Sequence, residues 1–523
     1  MAVELVRKPV TLEGMTKKES VQVIKERDII VPDGKPDMQN VVQLDGTVIL
    51  DQIDVSQDKV MYRGKINVNI LYTAPNNPSC IYTMKSSIPI DDFMIMEGVD
   101  KEQRVDFKYD VEHMSYNILN ERKINVKAIM QNEVYATGSS EALLLTGVET
   151  DDPIQSREQT IEIVSLATEK EDKVIVKEDL TVAQNKPSIG EILKTSLVIQ
   201  EEQVKRTESE IKYNGIIEVT TMYKANNDET DVEIINHRVP FEGNIENLKN
   251  EEEVYWDCKL SVEPSYMQIT PDYDGEDRVI ESEFIVTAKY TKYNRAEETL
   301  ISDVYCPGKK VSVSEKTLEY MTLFNRSELS IPKKDAISIE DFPTDNLEVF
   351  SVEIKPTIEE KTISDDKLTI RGMLEMRAMC LVNNEVNSIE TAINVVPFSQ
   401  EIEVRNIPTK ALVIPSVVIK DAKLYAQTKK ELVLEYLLDC TAEIYTKEAV
   451  KVLEEVNLED MSLEELDKYP SMTVYQVKKG DSLWELAKRF NTTVKEIQEI
   501  NDIELTENLK DGQKIIILKK VKF

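Results

Sequence analysis

Side chains able to do chemistry are few or badly spaced in this chain of 523 residues. Its two histidines, His113 and His237, stand in unlike contexts, so a nucleophile–His–acid relay or a His-based metal site would have to be assembled from almost nothing. Carboxylates are abundant, but in so acidic a chain a run such as Glu251, Glu252 and Glu253 is a solvated face. Gly64-Lys65 and Gly308-Lys309 lack the upstream glycine and the following Ser or Thr that cradle phosphate and magnesium, and no GxGxxG occurs. The five cysteines, Cys80, Cys258, Cys306, Cys380 and Cys440, lie far apart with no CxxC spacing, which predicts buried, reduced thiols. The pattern predicts no enzyme, no cofactor and no metal centre. It points to a protein that works by presenting surfaces.

The surface with the clearest local signals is at the C-terminal end. Residues 473–477 alternate as a strand and are followed by Gly480. Ser482 with Glu485, and Thr493 with Glu496, have capping-box spacing and predict two helix starts. Leu483, Leu486, Ala487 and Phe490 form one apolar stripe, Val494, Ile497 and Ile500 a second, and Asn501 suits the end of the second helix. A turn and strand over 509–518 complete a βααβ module. Trp484 lies about 100° round the helix from Leu483, on the flank shared with Lys488. It either packs across the two helices or serves as an aromatic interface anchor.

The elements ahead of this module repeat. Tyr62–Tyr72, Tyr213–Tyr223 and Ile370–Cys380 each carry a glycine (Gly64, Gly215, Gly372) at the start of an alternating strand, and a proline follows 25 residues later (Pro89, Pro240, Pro397). Pro36, Pro187 and Pro343 precede those glycines by 28 or 29 residues. A period near 150 residues is too long for a solenoid rung, so each copy is expected to be a domain with its own core. The alternation over 65–71, 121–130 and 281–290, broken by turn chemistry at 74–79 and 271–277, predicts half-buried antiparallel strands. The expected fold class is mainly β: three sandwich-like repeats, each with one short helix after Pro36, Pro187 or Pro343, then the α+β module. The repeated glycine marks a bulge or close backbone approach, or else a ligand contact. The repeated proline marks an edge strand or turn.

Length alone predicts three or four domains. The expected boundaries are 1–150, 151–318 and 319–450 for the repeats, 451–472 for an acidic linker and 473–520 for the module. A formal charge of -33 and a pI near 4.6 make nucleic acid and anionic lipid poor partners. Residues 1–20 contain no apolar run of signal-peptide length and no stretch is apolar enough to span a bilayer, so neither export nor membrane insertion is expected and the chain is expected in the cytosol.

The stretch YQVKKGDSLWELAKRF from Tyr475, the Asn501 position and LKDGQKIII from Leu509 resemble a LysM domain. That family binds N-acetylglucosamine polymers between two loops, which implies a groove here at Gly480, Asp481, Ser482 and Leu483 and at Asn501, Asp502 and Ile503, running on to Leu505; Leu518 replaces a proline common in the family. ERDIIVPDGKPDMQNVVQLDG at 26–46, GKINVNILY at 64–72 and ERKINVKAI at 121–129 resemble SPOCS domains, and the whole order resembles the SipL-type spore morphogenetic proteins. The resemblance implies a role in the mother-cell cytoplasm at the forespore surface. It implies as partners the coat-basement ATPase, stage IV sporulation protein A, and other coat proteins, with the LysM module turned to protein binding. On that basis Trp484, Lys488 and the strand residues Met472 and Val474 are expected to form one docking face, and Trp484→Glu is expected to abolish co-purification with the ATPase. The alternative is an exported protein that holds peptidoglycan in the Gly480–Leu483 groove.

Overall fold

Alternation of apolar and polar residues becomes three matching six-stranded units in the computed structural model, which describes residues 3–226, 232–246, 253–342, 347–364, 366–382, 388–408, 410–504 and 509–519. The first unit comprises β1 (Glu4–Ile30), β2 (Asn40–Ser56), β3 (Lys59–Ala74), β4 (Asn77–Ile95), β5 (Arg104–Asn120) and β6 (Lys123–Glu149). The second comprises β7 (Gln155–Thr181), β8 (Ile189–Arg206), β9 (Glu210–Ala225), β10 (Val232–Glu246), β11 (Glu253–Pro271) and β12 (Asp277–Tyr305). The third comprises β13 (Lys309–Ser338), β14 (Leu347–Ser364), β15 (Lys367–Val382), β16 (Ser388–Glu403), β17 (Leu412–Gln427) and β18 (Glu431–Asp460). Each unit has two antiparallel three-stranded sheets, ordered β1-β6-β5 and β2-β3-β4 in the first and equivalently in the others. Their inner faces close on one core per unit, for example Ile29, Tyr62, Ile66, Val68, Ile124 and Val126 in the first, drawn from every second position of each strand. The sandwich-like class is therefore the observed one.

The repeated glycine and proline have structural roles. A Cβ on Gly64 would collide with the carbonyl oxygen of Ile49, and one on Gly372 with that of Thr357. Both glycines face bulges in the neighbouring strand, between Leu50 and Gln52 and between Ile358 and Glu360. Gly215 is crowded more gently, with Phe241 at 2.9 Å and the Gln200 carbonyl oxygen at 3.2 Å from the same position. Pro89, Pro240 and Pro397 sit on β4, β10 and β16, each at the edge of its sheet, where a missing N–H costs no ladder bond.

The expected short helices do not form after Pro36 or Pro187; Pro343 lies outside the described residues. The stretch is tied to other strands instead, the Met38 N–H donating to the Glu121 carbonyl (2.7 Å) and that of Gln39 to the Thr73 carbonyl (2.7 Å), while the Met38 side chain enters the core. The Tyr72 and Tyr223 hydroxyls donate to the carbonyls of Pro36 (3.1 Å) and Pro187 (2.9 Å), so the proline turn is pinned in both copies.

Two boundaries also differ from expectation. Strand β13 begins at Lys309 and pairs with β18 as far as Asp460, so the third unit starts ten residues before 319. The stretch from 451, expected to open an acidic linker, is strand: Val450, Val452, Leu453 and Val456 are buried, and the acidic residues between them face solvent. Between Asp460 and the next strand at Met472 lies a short connector with one turn of helix, α1 (Leu463–Leu466), capped by Ser462 and Glu465.

The three units close into a ring. Leu12, Ile163 and Tyr320, which occupy matching positions of β1, β7 and β13, share one apolar cluster with Leu144, Leu300 and Val452, which match on β6, β12 and β18. A second cluster joins Leu71, Met222 and Met379 with Ile81, Val232 and Ile389, again one residue of each kind per unit. Meeting of equivalent residues in a common cluster is the geometry of a closed threefold arrangement, here within one chain. Polar contacts stitch each joint: Lys194 to Asp45 (2.7 Å) between the first and second units, Tyr255 to Glu443 (3.2 Å) between the second and third, and Lys355 to Asp110 (2.6 Å) between the third and first. No helix among the described residues is long and apolar enough to cross a membrane.

Candidate functional site

The C-terminal module is built as the local signals direct. Strand β19 (Met472–Gln476) pairs antiparallel with β20 (Lys514–Leu518), and α2 (Leu483–Arg489) and α3 (Val494–Asn501) cover one face of the pair. Leu486, Ala487, Ile497, Ile515 and Ile517 form the core with Leu483, Phe490 and Val494 against it, whereas Ile500 is exposed. Thr493 and Glu496 make the full capping box. Ser482 accepts from the Glu485 N–H (3.1 Å), but the reciprocal half is missing, because the Glu485 carboxylate turns to Arg157 of β7 at 3.5 Å. The left-handed residue after α3 is Asp502, not Asn501, and the Asn501 side chain instead ties α3 to β20 through the Ile516 N–H and carbonyl, both at 2.7 Å.

The expectation of a single docking face is corrected. Trp484 and Lys488 do not share a surface with Met472 and Val474. The indole N–H of Trp484 donates to Asp303 (2.8 Å), and the ring stands edge-on to Tyr305 at 4.8 Å with the Arg157 guanidinium 5.8 Å above it. Lys488 forms an ion pair with the same Asp303 at 2.7 Å. One turn on, the Asn491 side chain accepts from the Gly308 N–H at 2.9 Å. This helix flank is thus a joint with the end of β12 and the turn after it, and Tyr305 belongs to the module's own core cluster. Burial pushes the Asp303 carboxyl up, but the hydrogen bonds from Lys488 and Trp484 outweigh it and leave the group below its usual range.

Met472 and Val474 point the other way. Along β19 alternate side chains face the helices or solvent, and these two are 62% and 63% exposed. They stand directly opposite Leu518 and Ile516, themselves 39% and 40% exposed. Four apolar side chains in two cross-strand pairs make one open face, and no other strand pairs with this sheet among the described residues. The sequence does not assign Ile516 and Leu518 to this face, because their place opposite Val474 and Met472 follows from the strand register, which spacing alone does not supply.

In the expected glycan groove three of the four polar side chains, those of Asp481, Ser482 and Asn501, are committed to the fold. Asp481 accepts from the Lys478 N–H (2.8 Å) and the Tyr475 hydroxyl (2.9 Å), and the first of these bonds contributes most to holding its carboxyl below the usual range. Ser482 caps α2, Asn501 is held as described, Ile503 is buried and Gly480 takes a left-handed φ of 96°. Asp502 is exposed, and Leu505 lies outside the described residues.

Chemistry elsewhere is sparse. His113 lies on β5 and His237 on β10, where its Nε2 lies 3.0 Å from the Thr181 carbonyl oxygen. All five cysteines are buried and outside any disulfide, and burial pushes the Cys258 and Cys380 thiols up to about 12 and Cys440 to about 11. The described residues contain no group of three or more His, Cys, Asp or Glu able to hold a metal ion.

Residues 37–119 and 345–425 match the family model described as SipL, SPOCS domain, and residues 475–518 match that of the LysM domain. The two SPOCS segments fall at corresponding places in the first and third units, and the second unit repeats their strand order. Neither a curated protein nor a solved structure matches the chain.

Proposed function

We propose that this sporulation-related LysM protein of SipL-type architecture is a non-enzymatic scaffold for endospore coat assembly. Working in the mother-cell cytoplasm, it docks on the coat-basement ATPase, stage IV sporulation protein A, at the forespore surface. The observation that carries the reading is the open apolar face of Met472, Val474, Ile516 and Leu518 on a module whose helix flank is already engaged. Exposed apolar side chains grouped on one face suit a protein partner, whereas a sugar ring needs polar side chains left over to receive its hydroxyls, and those at Asp481, Ser482 and Asn501 are in use. The ring of three SPOCS-like units gives a rigid body on which further coat proteins gather, and several modest contacts on one chain gain from the high local concentration at a polymerised ATPase surface. The architecture, the acidic charge and the buried cysteines outside any disulfide support the assignment.

Val474→Glu places a charge at the centre of the apolar face while leaving the module core intact. Co-purification of the ATPase with the tagged full-length variant from sporulating cells is expected to fall at least tenfold, with the thermal melt unchanged. Wild-type protein retained on purified peptidoglycan and indifferent to the ATPase contradicts the proposal and returns the function to the Gly480–Leu483 groove.

A further inference from the structure

The ring has three equivalent corners, yet only one of them is shaped to hold the LysM module. At the corner of the second unit, β12 bulges between Ile301 and Asp303, and Asp303 lies opposite Arg157 of β7. The same bulge recurs where Gly147 meets Val6 in the first unit and where Glu455 meets Ser314 in the third, so the backbone is common to all three corners. The side chains are not. Where the second unit has Arg157, Asp303 and Tyr305, the first has Val6, Gly147 and Glu149, and the third has Ser314, Glu455 and Asn457. An acid, a base and an aromatic ring together occur at that one corner, and each finds a partner on the module: Asp303 takes Trp484 and Lys488, Arg157 takes Glu485, and Tyr305 enters the module's core.

We propose that the end of β12 with its following turn is a receptor for the chain's own LysM module, and that this latch, rather than the connector, sets the module's orientation. The module side fits the same purpose. Glu485 gives up the reciprocal half of its capping box to reach Arg157. Asn491, the left-handed residue that closes the end of α2, is buried and accepts the Gly308 N–H. The connector leaves β18 beside the seat, where Lys309 bridges Asp460 and Asp152 at 3.0 Å each, so the module reaches it without a long span. The latch keeps the Trp484 flank turned inward and the Met472–Val474 face outward, and it holds whichever partner that outer face takes.

The test uses the full chain. Asp303→Ala removes the shared acceptor from the seat, and the double variant Trp484→Phe, Lys488→Ala removes the donors from the module. Glu455→Ala, at the matching corner of the third unit, is the control. Tryptic cleavage at Lys468 in the connector is expected to run at least tenfold faster in both latch variants than in wild type or control, and small-angle scattering is expected to show a larger maximum dimension. Thermal melts of the ring separate release from unfolding, and if Asp303→Ala unfolds the corner the module-side variant decides. Cleavage and scattering indistinguishable from wild type in the folded latch variants overturn the proposal.

Discussion

At the scale of single residues, Asp303 decides how the joint responds to acid. It faces Lys488 and Trp484 from α2 and Arg157 from β7, with Tyr305 two residues on and Glu485 across the seat. Its carboxyl is held below the usual 3.8, so the charged form is favoured in the folded chain. A depressed acid stabilises at pH values above its unfolded pKa, and that stability is lost as pH falls through the lower folded value. The joint is therefore expected to hold from neutrality down to about pH 4 and to release below it, read as an increase in scattering dimension. Asp303→Asn should abolish the acid-dependent step. The cysteines give a second residue-scale expectation: with every thiol buried and three pushed far above neutrality, iodoacetamide at pH 8 should label the native chain no faster than global unfolding permits.

At the scale of elements, the glycines that open β3 and β15 are where one strand presses on its neighbour's backbone. Gly372→Ala is expected to destabilise the third unit by about 1–3 kcal/mol, because the new methyl meets the Thr357 carbonyl and neither strand can retreat without losing ladder bonds. Gly34→Ala, with open space around it, should stay within about 0.5 kcal/mol. Denaturant midpoints of the two variants check the contrast. These strands were legible in the sequence because burial on one face imposes period two, and the edge prolines because they can occupy few other sheet positions. The absence of the helix expected after Pro36 was not, since the stretch is held by the carbonyls of Glu121 and Thr73, residues far along the chain that no local signal names. The same limit applies at Trp484: its flank position was readable from the helix period, but its acceptor lies 181 residues upstream. The one available hint was that Arg157, Asp303 and Tyr305 have no counterparts in the other two copies.

At the scale of the whole molecule, three copies of one unit enclose three shared apolar clusters, and that closure turns a string of domains into a single body. The repeat itself could be counted from glycine and proline spacing. Its closure could not, because matching residues such as Leu71, Met222 and Met379 look alike whether they face each other or solvent. On this rigid body the LysM sheet face becomes a fixed platform, and contact through that platform is the central claim. Hydrogen exchange on the full-length chain, with and without the polymerised coat-basement ATPase, tests it most directly. Protection is predicted at 472–476 and 514–518, with the α2 flank unchanged because it is already covered. Exchange at both strands unaltered by the ATPase, or protection appearing instead at 478–483 on adding peptidoglycan fragments, contradicts the account.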